Sequence, residues 1–218
     1  MAVSPVSRRA LSTSAAGVQF KVLGQVFPVL RHEVIRPISN AALAAAMLRQ
    51  APEHAGADAT ARQDDLAADL ESMLAESTAE IRRLTDWLED SGETVTLPDL
   101  LEQCRKLVFT QMLRSGKQIR LPEHCPAVVL PAFSGRYVVL AWLLCLLDTL
   151  PEGAELRVEA RDAQVLQAHR TVVRPDTPAH GYVSVDEFLS LSAGHGWIAE
   201  CDSAVWTLQF PAEETDGA

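Results

Sequence analysis

At 218 residues and 48% apolar content, the chain is long enough for one large domain or two small ones with real cores. Its formal charge of −10 disfavours nucleic acid and anionic membrane surfaces as main partners. No apolar run approaches the ~18 residues of a membrane span, and Cys104, Cys125, Cys145 and Cys201 show no C-x-x-C spacing, which argues against zinc and a disulfide framework and suits a reducing cytoplasm.

Residues 1–15 are rich in Ser, Ala and Arg and read as a disordered tail. Arg8-Arg9 is not followed by the apolar core of a secretory signal. A first helix is expected from about Ala16 to Gln50. Counting about 100° per residue, Leu23, Val26, Phe27, Leu30, Val34, Ile38, Ala41, Ala45 and Leu48 fall on one side, and His32 on the opposite side. Pro37 lies inside this pattern, where it removes a backbone hydrogen bond and predicts a bend. Pro52 and Gly56 break the pattern as a hairpin loop.

A second helix is expected over about Gln63–Asp90, with Leu66, Leu70, Met73, Leu74, Ile81, Leu84 and Leu88 in one stripe. Ser91-Gly92 stops it. Two long helices with one stripe each do not bury both stripes in a lone hairpin. A dimeric four-helix bundle over residues 16–92 is the expected solution. Packing against the rest of the same chain is the other one.

The pattern changes at Glu93. Thr94-Val95-Thr96 predicts a strand, and Pro98–Ser115 a helix ended by Gly116. Strands are expected at Lys117–Leu121 and Ala127–Pro131, then a helix over Gly135–Leu150 that is apolar nearly all round and so belongs in a core. Glu155–Ala160 alternates as a half-exposed strand does. A strand near His169–Val173, a helix over Val183–Ala193 and a closing hairpin (Trp197–Glu200, Ala204–Phe210) complete an α/β sandwich over residues 93–212, one mixed sheet covered by helices on one face. Residues 213–218 are a tail. The fold class is thus α+β, a helical hairpin followed by an α/β sandwich.

Particular residues carry a family resemblance. His32-Glu33-x-x-x-Pro37-Ile38, with Phe27 five residues before the histidine, resembles the H-box of sensor histidine kinases. Downstream, Leu97–Val108 resembles the segment that links the hairpin to that family's ATP-binding domain, and Arg136–Gly153 with its Pro-Glu-Gly turn, then Ser192–Trp197 followed by Val205–Pro211, resemble that domain's N-box helix and its closing helix and hairpin. The resemblance implies that His32 carries a phosphoryl group on a dimerisation hairpin. It also marks departures. Where the family places a Mg²⁺-holding asparagine stands Cys145, with Ala141 one turn earlier, and neither offers the hard oxygen that magnesium needs. The adenine-binding Asp-x-Gly-x-Gly is absent between Arg161 and His180, and Gly181 stands alone where a phosphate-cradling lid needs several glycines.

An acceptor histidine with a degenerate ATP domain is similar to the dimeric histidine phosphotransferases of phosphorelays. The resemblance implies phosphoryl exchange between His32 and the aspartate of a response-regulator receiver domain, without ATP binding. No cofactor of its own is implied, the Mg²⁺ being supplied by the partner receiver. Glu33 matches the family's acidic residue after the histidine. Arg36 offsets negative charge one turn away, and stands where phosphatase-competent kinases carry Thr or Asn. Gln25, Arg36 and Ser39 share the histidine's face and form the expected docking surface. Expected partners are a second copy of the chain, receiver domains and a sensor kinase, but no nucleic acid and no membrane. Two other readings stand beside this one: a non-catalytic dimeric adaptor that blocks or bridges a kinase or regulator, and a divergent kinase that still binds nucleotide.

Overall fold

The computed structural model describes residues 5–50, 57–169, 181–202 and 204–211. The chain divides into two compact units, Phe27–Glu89 on one hand and Met1–Val26 with Asp90–Ala218 on the other. Helix α1 (Pro5–Gln50) is continuous through both Pro28 and Pro37. It is already helical at Pro5, so residues 5–15 are not the disordered tail expected for them; residues 1–4 lie outside the described residues. The compact units also divide at Val26, not at the expected residue 16.

In the Phe27–Glu89 unit, α1 and α2 (Ala57–Thr85) form the expected helical hairpin. Its buried line on α1 is Leu30, Pro37, Ala41 and Ala44, with Val34 half-buried within it and Leu48 half-buried just beyond it. On α2 and in the turn after it, Ser77 and Trp87 are buried and Leu66, Leu70, Met73 and Leu84 half-buried, at steps of three, four or seven as a two-helix seam requires. Part of the expected stripe lies outside this seam. Phe27, Ile38, Leu74, Ile81 and Leu88 are exposed, because one neighbouring helix covers only one line of a broad apolar face.

The second unit contains strand β1 (Thr94–Thr96), helices α3 (Leu97–Leu107) and α4 (Phe109–Ser115), β2 (Gln118–Arg120), β3 (Val129–Pro131), α5 (Ala132–Thr149), β4 (Glu155–Ala160), β5 (Val165–His169), α6 (Val185–Gly194), β6 (Ile198–Cys201) and β7 (Val205–Gln209). Thr96 caps α3 by accepting from the Asp99 N–H. The single helix expected over Pro98–Ser115 is two, divided at Val108, and Gly116 ends the second with a φ of 62°, a left-handed conformation that favours glycine. The strand expected near His169–Val173 comes earlier, at Val165–His169, and residues 170–173 lie outside the described residues.

Two sheets form where one was expected. β1 and β3 pair antiparallel by themselves, and the larger sheet has the order β2-β4-β5-β7-β6 with only β2 and β4 parallel. The register sets Val158 opposite Ala168, Leu166 opposite Leu208 and Ala168 opposite Trp206. These side chains, with Leu156 and Ile119, make the buried face. The other face carries Arg120–Glu155 and Arg157–Glu159 ion pairs at 2.8 and 2.9 Å. Helix α5 passes through the core, buried at every residue from Tyr137 to Asp148. It alone among the described residues is long and apolar enough to cross a membrane, and 78% of it is buried inside the protein.

Candidate functional site

His32 is exposed on α1, about 150° around the helix from the line of Leu30, Pro37, Ala41 and Ala44. The sequence produces this locally. Apolar and small residues at steps of three and four turn one side inward, and His32, Ser39 and Arg36 fall between the repeats. Glu33, Arg36 and Ser39 are exposed as well. Arg36 reaches across the hairpin, with its Nη2 3.9 Å from Oε1 of Glu76 on α2. Gln25 belongs to the other compact unit, where its carbonyl accepts a 2.9 Å hydrogen bond from the Gln111 amide.

Cys145 and Ala141 are wholly buried on α5, so neither side chain faces an open cleft. Near the end of the same helix, Asp148 accepts from the Tyr182 N–H at 2.6 Å, and the buried Lys117 ammonium donates to the Leu147 carbonyl at 2.5 Å. Burial pushes the Lys117 pKa down, against the pull of Asp148 and Glu152. The N-terminus of α6, where free N–H groups favour an anion, is filled by the chain itself. Ser184 accepts from the Glu187 N–H, and Glu187 accepts from the Ser184 N–H. The stretch 170–180, where a lid would fall, lies outside the described residues.

Sequence reasoning missed the role of residues 15–26. Ala15, Val18, Val22 and Val26 are buried in the sheet-bearing unit, antiparallel to α6. A Cβ on Gly194 would lie 3.0 Å from that of Ala15, and the Gln19 amide donates to His195 Nε2 at 2.9 Å. Lys21 donates to both carboxylate oxygens of Glu187, at 2.9 and 2.7 Å. Ala15 to Lys21 spans about 9 Å of helix and Gly194 back to Glu187 about 10 Å, so the contacts are in step. Burial lowers the His195 pKa despite the charge of Asp90, which keeps Nε2 free to accept. The Val18-Val22-Val26 spacing was a signal for this contact, but nothing in the sequence pairs Lys21 with Glu187.

Among the described residues no group of three or more His, Cys, Asp or Glu side chains is placed to hold a metal ion. A cavity of about 360 Å³ lies at the β2–β4 edge of the sheet, and both guanidiniums that reach it, Arg120 and Arg157, are already ion-paired.

No family model and no curated protein matches the chain. Solved structures do. The cytoplasmic segment of histidine kinase QseC is 12% identical with a TM-score of 0.43, over 54% of this chain and 76% of that one. The Acinetobacter baumannii histidine kinase AdeS is 11% identical with a TM-score of 0.43, over 84% and 98%. Histidine kinase ThkA, in complex with response regulator protein TrrA, is 11% identical with a TM-score of 0.38, over 97% and 68%. The structural neighbours are histidine kinases. At this level of superposition the likeness assigns no activity, partner or residue to the chain.

Proposed function

We propose that the protein is a histidine phosphotransferase of a two-component phosphorelay, exchanging phosphoryl between His32 and receiver-domain aspartates without binding ATP. The observation that carries the reading is the exposure of His32 on a hairpin whose buried line is turned away from it. A ring nitrogen attacks the phosphorus of an aspartyl phosphate, the acyl-phosphate P–O bond breaks, the carboxylate leaves, and the surplus imidazole proton passes to solvent. The reverse step returns the phosphoryl group. The receiver supplies the Mg²⁺ that its own acyl phosphate needs. Glu33 and Arg36 flank the nucleophile, and Arg36 offsets charge on the transferring group. Ser39 and Arg36 lie on the surface that meets the receiver.

Two observations favour a lost nucleotide site. Cys145 is buried with no oxygen to offer a metal, and the anion-favouring N-terminus of α6 is occupied by Glu187. The hairpin also leaves a second apolar line open, with Leu74, Ile81 and Leu88 at seven-residue intervals and 52%, 49% and 65% exposed. Ile35 and Ile38 are the counterpart on α1. A second copy of the chain would cover these lines as a four-helix bundle.

Transfer from phosphorylated receivers is the test. Acid-labile, base-stable phosphate should appear on the wild type and be absent from His32→Gln, whose circular dichroism and oligomeric state should match the wild type. Absence of transfer from every receiver of the source proteome would favour the adaptor reading. A thermal shift with millimolar Mg-ATP would favour the divergent kinase, since a ligand at 100 times its Kd adds about 2.7 kcal/mol.

A further inference from the structure

Arg36 is placed between two groups. On its own helix it is one turn beyond His32, and residues four apart on a helix are surface neighbours. Across the hairpin it pairs with Glu76 of α2. It makes that reach although Glu33 lies three residues before it on α1. The pair is loose, at 3.9 Å, and the two side chains are 65% and 54% exposed. Such pairs hold weakly in water. A phosphoryl group on His32 carries close to two negative charges and three acceptor oxygens, which a guanidinium binds through two donors at once.

We propose that Glu76 is a positioning residue for the His32 site that acts by restraint: it holds the Arg36 guanidinium in the ion pair across the hairpin, and Arg36 exchanges that carboxylate for the phosphoryl oxygens when a phosphoryl group arrives on His32. The inference rests on the reading of His32 as phosphoacceptor. Glu76 touches no reacting atom and acts only through Arg36. Its charge also sets how freely Arg36 is available, because every contact with phosphoryl is made at the expense of the ion pair.

The experiment uses the full-length protein and phosphoramidate, a small donor that needs no docking partner. The His32 ring nitrogen attacks phosphorus, the P–N bond breaks, ammonia leaves, and the surplus imidazole proton passes to solvent. Uptake is followed by ³¹P NMR, which also gives the titration midpoint of the bound phosphoryl group, a quantity that a merely structural role would not move. Arg36→Gln should slow uptake about threefold and Glu76→Gln should speed it about threefold, the size an exposed ion pair commands. The midpoint should rise in Arg36→Gln and fall in Glu76→Gln, since a freer guanidinium favours the dianion. The double variant should behave as Arg36→Gln alone, because Glu76 has nothing to act through once Arg36 is gone. A silent Glu76→Gln, or an acceleration that survives in the double variant, overturns the proposal and leaves the phosphoacceptor reading intact. A wild type that takes no label at His32 overturns both.

Discussion

Helix α5 and the α1–α2 hairpin bury their apolar residues in different ways. Every residue of α5 from Tyr137 to Asp148 is enclosed by its own unit. The hairpin encloses one line, Leu30, Pro37, Ala41 and Ala44 against the inward residues of α2, and leaves Ile35, Ile38, Leu74, Ile81 and Leu88 in water. Both are apolar helices, so hydrophobicity alone does not separate them. The difference is the number of neighbours each has. A core helix is surrounded by elements of its own unit, whereas a two-helix hairpin has one contact line per helix and a surplus of apolar surface. The first arrangement closes a core, and the second leaves apolar surface uncovered within the chain.

The largest expected effect is in α5. Trp142→Ala should lower stability by about 3–5 kcal/mol in urea unfolding, the usual loss for a large buried aromatic. A loss within about 0.5 kcal/mol, the range of surface substitutions, would mean that α5 is not an enclosed helix.

Next in size is the open line of the hairpin. Ile81→Asp should convert a dimer to a monomer at micromolar concentration in sedimentation velocity, because a charge buried in a helical interface without a partner costs several kcal/mol. Secondary structure should be retained, since Ile81 is 49% exposed within one chain. An unchanged sedimentation coefficient would leave the surplus surface without a second copy to cover it.

The smallest effect concerns residues 15–26 of α1, which behave like α5 rather than like the hairpin. Burial alone would push the Glu187 carboxyl up, but the Lys21 ammonium and the Ser184 N–H and hydroxyl outweigh it and hold the pKa below the usual carboxylate value. A carboxyl lowered on folding stabilises above its unfolded pKa and loses that contribution as pH falls through the folded one. Hydrogen-exchange protection over Ala15–Val26 should therefore be full at neutral pH and decline below about pH 4, the unfolded carboxylate range. Lys21→Met should weaken protection at neutral pH and flatten the decline. Protection independent of both would show that Val18, Val22 and Val26 hold the contact alone.

The sequence by itself determined most of the order of the elements and the outward direction of His32. Those follow from local causes: the period of apolar residues, the cap at Thr96, the stop at Gly116 and the alternation of β4. Tertiary structure decided which apolar residues of the broad hairpin face are covered, because coverage depends on how many helices stand beside it. It decided that residues 15–26 lie against α6, that β1 and β3 pair apart from the larger sheet, and that Arg36 meets Glu76. The α6, Arg36 and β1–β3 pairings join residues 33 to 179 positions apart, between Thr96 and Val129 at one extreme and Ala15 and Gly194 at the other. No local pattern encodes such a pairing, because the chemistry of each residue leaves its partner open until the chain brings the two together.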